Sequence, residues 1–332
     1  MAATVLVLTA LEDVTADWVI AALNERGVPV VRADPADVGP GLSFGFRLGA
    51  QDSGWQGRLR TPSRELDLEQ VGAVYYRRPT PYADRFRQLP PQQRAFAAAE
   101  ARHGLGGVLN SLRGAAYVNH PAAVTRADFK PAQLQLAARL GLAVPPTLVT
   151  NDVEAARAFA AEHPRVICKT FRGLPPSEDG YTGAIWAQRV DPASFDKTLA
   201  VTAHLFQAEI DKSSDVRVTV VGHRVFAHRI QTPDGAVDWR RGDWHELTYT
   251  PVAVPMPIRA RLHRYLAHFG LVFACFDLAL TGDADDAASW VFIEANPNGQ
   301  WGFVPDAPAI TEAFADILQG KETARHDDAR RH

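Results

Sequence analysis

The sequence predicts a multi-lobed α/β protein whose C-terminal part turns α+β, and three observations carry that expectation. The chain has 332 residues, more than one hydrophobic core usually organises. Its opening alternates strand, helix and strand. Its second half mixes many short apolar strands with few helices.

Residues 4–9 are β-rich, residues 13–25 have helical composition, Gly27 stops the helix and residues 28–32 are β-rich again. A βαβ start of this kind predicts parallel strands. The turn after the first strand, TALEDV, lacks the glycines that let a backbone approach a pyrophosphate, so the first lobe is not expected to hold a nucleotide. β-like runs follow at 43–48, 55–59 and 71–76, then an alanine-rich helix over 90–112. A boundary is expected near 117–121. Beyond it the spacing predicts a helix over 126–140 closed by Gly141, an extended stretch 144–149 and a helix over 153–162. Strands are expected at 165–170, 182–190, 204–210, 216–221, 225–230, 274–280 and 290–294, with a helix at 258–269. The tail after Gly320 reads as disordered.

The formal balance of 35 basic against 38 acidic residues gives −3, without a block of like charge, so neither nucleic acid nor membrane is implied as a partner. The N-terminal apolar run carries no basic leader and is broken by Glu12 and Asp13, which predicts a cytoplasmic protein. The two cysteines, Cys168 and Cys275, sit in apolar strand-like runs without metal or redox neighbours and read as core.

Chemistry concentrates in two late strands, FACFDLAL and WVFIEANPNGQW. Glu294 and Asn296 lie two apart, so both point to one face if the strand continues. Asp277 is an acid inside an apolar run, where an unpaired carboxylate is costly to bury. A shared magnesium ion removes that cost; a strand-end acid and a turn that closes a hairpin are the plainer reading of an isolated E-x-N. Lys130 opens the helix DFKPAQLQLAARLG, and Lys169 alternates with apolar neighbours in VICKTF; a nucleotide phosphate suits such an ammonium. The glycine-bearing loop RGLPPSEDGYTG follows Lys169 and is either a phosphate cover or a plain turn. In HLFQAEIDKSSDVRVTVV, Asp215 and Arg217 share a strand face. Arg217 can fork onto a phosphate or carboxylate, or pair with Asp215.

In order, a helix lysine, a strand lysine, a glycine-bearing loop, Q-x-E-I, D-x-R, an acid in FDLAL and E-A-N resemble the ATP-grasp superfamily. VYYRRP (74–79), FQ-x-x-I-x-K-x-x-D-x-RVTVVG (206–222) and DWR (238–240) are similar to its peptide-maturing branch, the graspetide or microviridin-type ligases. The resemblance covers nearly the whole chain. It implies an ATP-grasp fold: an N-terminal βαβ pre-ATP-grasp domain over 1–118, a central lobe over 119–205 and a C-terminal lobe with the metal site over 206–320. The two later lobes would clamp the nucleotide, with 321–332 as a tail. It implies ATP and Mg2+ as cofactors, Lys130 and Lys169 on the phosphates, and Gln207 to Ile210 as the hinge against adenine. Glu209 and Ile210 serve there; Asp211 and Lys212 are candidates for the ribose. Ala208 departs from the Gln-Glu that relatives often carry.

By the same resemblance Asp277, Glu294 and Asn296 hold magnesium, and Arg217 or Arg172 steadies an acyl phosphate. Arg77, Arg78, Asp215, Asp238 and Arg240 would face the substrate, although 231–249 read alone is equally an exposed hairpin with a polar tip. The implied partner is a ribosomal precursor peptide, leader and core, and a homodimer is possible. Its Asp or Glu side chains would be joined to Ser, Thr or Lys as ω-esters or ω-amides. A ligase adding glutamate or another amino acid, and a nucleotide-binding module without turnover, are the alternatives.

Overall fold

In the computed structural model, the described residues are 3–173, 185–232, 237–241 and 246–321. The expected disorder of the tail and most of the glycine-bearing loop fall outside them.

Alternating apolar strands and an Asp-capped helix build the first lobe: β1 (Thr4–Leu8), α1 (Val14–Glu25, Asp13 accepting from the Ala16 N–H) and β2 (Val30–Ala33). An antiparallel sheet of β3 (Ser43–Arg47), β4 (Gln56–Arg60) and β5 (Glu65–Asp67) interrupts the alternation. It resumes with β6 (Val71–Tyr76), α2 (Tyr82–Arg85), α3 (Pro91–Leu109) and β7 (Ala116–Val118). The main sheet runs β2-β1-β6-β7, all parallel, as the βαβ start requires.

The helical spacing read over 126–140 falls on two helices, α4 (Pro121–Ala127) and α5 (Lys130–Arg139), the second opened by Lys130 as expected. Pro131, lacking an N–H, is tolerated only in a first turn, so a new helix starts there. A second sheet follows from β8 (Thr147–Thr150), α6 (Val153–Glu162), β9 (Val166–Lys169), β10 (Gln188–Arg189) and β11 (His204–Ala208), ordered β10-β9-β11-β8. The break expected between 205 and 206 falls inside β11, because Phe206 packs with Phe195 and Val166 in the core of this sheet.

The third sheet is β12 (Ser214–Val221), β13 (Arg224–Gln231), β14 (Thr248–Pro251), then α7 (Met256–Phe269), β15 (Phe273–Leu280) and β16 (Trp290–Asn296), ordered β14-β13-β12-β15-β16. α8 (Ala307–Leu318) closes the described chain. It has no counterpart in the sequence expectations, although Ile310, Phe314 and Ile317 turn inward while Pro308, Ala309 and Glu312 face out; Asp306 at its start makes no side-chain cap.

One face of this sheet is roofed by α4, α5 and α7, with Leu134, Leu262 and Tyr265 in the same core as Val218, Phe276 and Phe292. Each such side chain contributes roughly 1.5–3 kcal/mol on burial. The other face is divided. Phe273, Cys275 and Val221 pack with Tyr75, Trp301 and Phe314, which docks the first lobe and α8. Above that contact the face turns polar and opens into a cleft toward the second sheet. Among the described residues no helix is long and apolar enough to cross a membrane.

Candidate active site

β15 is buried along its whole length yet carries Asp277. In direct register with it stand Arg217 of β12 and Glu294 of β16. Directly paired residues project to one face, and Arg217 Nη1 donates to Asp277 Oδ1 at 2.6 Å. Strict alternation would send Glu294 to the face of Trp290 and Phe292, into the core under α5 and α7. A register shift prevents this: Leu278 pairs with Phe292 and Asp277 with Glu294, leaving Ile293 as the extra residue of a bulge. Asn296 follows Glu294 onto the polar face, its Nδ2 lying 3.3 Å from Glu294 Oε1.

Two side-chain amides that the sequence reading passed over hold this strand. β16 is an edge strand, and Gln133 of α5 completes it as a partner strand would: its Oε1 accepts the Ala295 N–H at 3.0 Å and its Nε2 donates to the Ala295 carbonyl at 2.8 Å. Asn119 accepts from the Val272 and Phe273 N–H groups at 2.7 and 3.0 Å and donates to the Phe273 and Pro297 carbonyls, both at 2.8 Å. The available signal was an amide placed among apolar residues that pack.

Arg77 and Arg78 do not line the cleft. Arg77, wholly buried, donates to the Asn298 carbonyl and to Gln300 Oε1 (2.6 Å), and Arg78 Nη2 donates to the Asn298 carbonyl at 3.1 Å. With Arg217 Nη2 on the Gln300 carbonyl at 2.9 Å, they clasp the NPNGQ turn from the first lobe. Burial, followed by the charge of Arg77, lowers Arg78 to about 10. Gly299 of that turn admits no side chain, since a Cβ there would lie 2.4 Å from Cys275 Cβ.

The polar rung opens into a cavity of about 470 Å³. Lys130, Lys169, Gln207, Asp277, Glu294 and Asn296 all line it, although the chain spreads them over 167 positions. Lys130 Nζ donates to Glu294 Oε2, and Arg240 Nη1 to Glu294 Oε1 at 3.2 Å. Burial would raise the Glu294 carboxyl, but Lys130, Arg240 and Lys169 outweigh it and hold it well below the ordinary range. Asp277 goes the other way: burial raises it against the pull of Arg217. Burial brings the Lys169 ammonium down to about 8, with Glu294 opposing the shift.

Beside the end of β11, Thr147 Oγ1 donates to the Pro145 carbonyl at 2.8 Å and accepts from Gln207 Nε2 at 2.9 Å. Gln207 Oε1 is thereby left buried without a hydrogen-bond partner. Glu209 is bound by Arg189 at 2.6 and 2.8 Å, which lowers its carboxyl, and Ile210 and Asp211 line the rim. Lys212 donates to both Asp215 oxygens, at 2.8 and 2.7 Å, and to the Val237 carbonyl at 2.8 Å. Burial raises Asp215 to about 6 in spite of Lys212. Arg172 pairs with Asp128 across the cleft at 3.1 Å. β13 and β14 form the expected hairpin, but its described middle is not an exposed tip: Asp238 and Trp239 are buried, and Arg240 forks onto Asp238 at 2.9 and 3.1 Å.

Asp277, Glu294 and Asn296 supply hard oxygen donors on one face, a set that suits Mg2+ or Mn2+. Among the described residues no group of three His, Cys, Asp or Glu side chains is placed to hold a metal.

Residues 4–125 match the MvdD pre-ATP-grasp domain. No curated protein matches the sequence. The fold superposes on a RiPP-associated ATP-grasp ligase from Chryseobacterium gregarium in complex with ADP and a leader and core peptide: TM-score 0.84 at 26% identity, covering 97% of this chain and 98% of that one. Macrocyclase MdnC of Microcystis aeruginosa, bound with precursor peptide MdnA, gives 0.83 at 26% identity over 96% and 99%. A RimK domain ATP-grasp protein from Sphaerobacter thermophilus, at 0.56 and 19% identity over 95% and 99%, shares the fold. The chain therefore has an ATP-grasp fold behind an MvdD-type pre-ATP-grasp domain, and it is similar over nearly its full length to the RiPP-associated ATP-grasp ligases.

Proposed function

We propose that the protein is an ADP-forming ligase that closes ω-ester or ω-amide links between Asp or Glu side chains and Ser, Thr or Lys of a ribosomal precursor peptide, acting in the cytoplasm on ATP and Mg2+. The observation that carries it is the convergence of Asp277, Glu294 and Asn296 beside Lys130 and Lys169 in one cleft. An N-terminal lobe over 1–118 and two lobes beyond it form part of this reading, with the boundary between those two lying after β11 rather than at 205.

In it, Lys130 and Lys169 hold the nucleotide phosphates and Gln207 to Ile210 form the adenine hinge, with Asp211 or Lys212 near the ribose. Magnesium held by Asp277, Glu294 and Asn296 would neutralise charge that develops on the transferred phosphoryl group. A substrate carboxylate attacks the γ-phosphorus, ADP departs, and an acyl phosphate remains. Arg217, anchored by Asp277 and the Gln300 carbonyl, faces that rung, with Arg172 as the alternative on the opposite lobe. A hydroxyl or amine of the same peptide then attacks the acyl carbon, releasing inorganic phosphate and a proton, so the peptide loses one water per link. Asp215, Asp238 and Arg240 border the peptide's path; Arg77 and Arg78 act through the NPNGQ turn.

Treating the precursor peptide with protein, ATP and magnesium and weighing it by mass spectrometry tests the reading. A loss of one water per link is expected. A gain of one amino-acid residue mass would replace this reading with an amino-acid ligase, and an unchanged mass with ATP present would refute turnover.

A further inference from the structure

The cation that this reading requires has to enter a site whose carboxylates are already neutralised from within. Glu294 gives Oε2 to Lys130 and Oε1 to Arg240, and Asp277 gives Oδ1 to Arg217. Lys169 faces the same carboxylates without a carboxylate of its own. Counting Asp238, which Arg240 also engages, three carboxylates meet Lys130, Lys169, Arg217 and Arg240, and the surplus is positive. A free divalent ion would meet repulsion that little water screens, because Asp277 and Glu294 are only 8% and 7% exposed.

Two of these cations differ in what can relieve them. Lys130 can exchange Glu294 for a phosphate on the cleft side. Arg240 cannot move freely: Nε and Nη2 are fixed by Asp238, its guanidinium lies 5.9 Å over the Trp186 ring, and Asp238 Oδ2 accepts the Ala187 N–H at 3.3 Å from the opposite lobe. Lys212 holds the adjoining Val237 carbonyl at 2.8 Å. Arg240 is thus a fixed counter-ion bridging the metal-side carboxylate and the far wall of the cleft.

We propose that Arg240 guards Glu294 as a built-in counter-ion, so that the site refuses a free divalent cation and accepts one only together with nucleotide phosphates. The proposal rests on the metal assignment above. Arg240 here is a positioning residue that directs the order of loading, and the phosphates supply the negative charge that makes the cation welcome.

The test uses the full-length protein and Mn2+, whose free aquo ion is counted by electron paramagnetic resonance, with no turnover required. Without nucleotide the wild type should retain Mn2+ at least about tenfold more weakly than with ADP present. Arg240→Gln, which removes the charge, should bind free Mn2+ at least about tenfold more tightly than wild type, whereas Arg240→Lys, which keeps it, should stay weak. A residue that merely braced the fold would give the opposite sign, loss of binding in both variants, and that result overturns the proposal. So does equal Mn2+ affinity with and without ADP in the wild type. Should Arg240→Gln unfold, Arg240→Met, checked for folding by circular dichroism, provides the second arm: it too removes the charge, so without nucleotide it should bind Mn2+ at least about tenfold more tightly than wild type, and no gain overturns the proposal. ADP-promoted retention that survives while Arg240→Gln gains nothing sinks the guard alone; absence of ADP-promoted retention in every form sinks the nucleotide site beneath it.

Discussion

Replacing Gln133 with leucine isolates the contribution of one amide to the site. The side chain is 3% exposed and makes three hydrogen bonds: to the Ala127 carbonyl at 2.7 Å, to the Ala295 carbonyl at 2.8 Å, and from the Ala295 N–H at 3.0 Å. Leucine has nearly the same bulk and leaves the Ala295 donor and acceptor buried with nothing to pair. The two orphaned groups together cost roughly 2–6 kcal/mol, while the apolar replacement returns about 1–2 kcal/mol, so a net loss of up to about 5 kcal/mol is expected. Ala295 separates Glu294 from Asn296, so the damage is local to the proposed cation donors. Amide hydrogen exchange should show lost protection at Ala295, and Mg·ADP affinity should fall about tenfold. Gln133→Glu, which keeps the acceptor and loses the donor, should fall between. If Gln133→Leu protects Ala295 and binds Mg·ADP as the wild type does, the edge-capping argument is wrong.

Three further outcomes follow from other residues. Lys169 titrates near 8 in the free protein, and phosphates raise it on binding. Affinity for ADP should thus be full below pH 8 and weaken as pH rises above it, with proton uptake visible by calorimetry in buffers of different ionisation enthalpy; Lys169→Met should abolish the uptake. Gln207 Oε1, oriented by Thr147 and unpartnered, is an acceptor that suits the 6-amino group of adenine and not the 6-oxo group of guanine. Gln207→Leu should cut the preference of ADP over GDP by about tenfold in competition binding, and an unchanged ratio would dismiss this role. Glu294→Ala should leave the fold intact and reduce ADP release at least about a thousandfold; undiminished turnover contradicts the metal assignment.

Much of this was legible in local pattern. The βαβ opening, the lysine within β9 and the acid within β15 each follow from periodicity and the cost of burying charge, and the resemblance drawn from their order agrees with the fold. What escaped depends on tertiary contacts. The bulge at Ile293 decides which way Glu294 points, and nothing in WVFIEAN announces it. Arg77 and Arg78 were set facing the substrate by the resemblance alone; their partner is the carbonyl of Asn298, more than 200 positions away, which no spacing reveals. Gln133 and Asn119 carry no motif, since an amide completing a strand edge needs only to be near it. α8 was legible and missed: Ile310, Phe314 and Ile317 recur at helical spacing against an exposed Pro308, Ala309 and Glu312, but no side-chain cap marks its start.

The chemistry itself is tested most directly by following oxygen. If the precursor peptide carries 18O in its Asp and Glu side-chain carboxylates, an acyl phosphate passes one of those oxygens to phosphorus when the nucleophile displaces it. Inorganic phosphate bearing a single 18O per link is the predicted product, and unlabelled phosphate released alongside linked peptide would contradict the account.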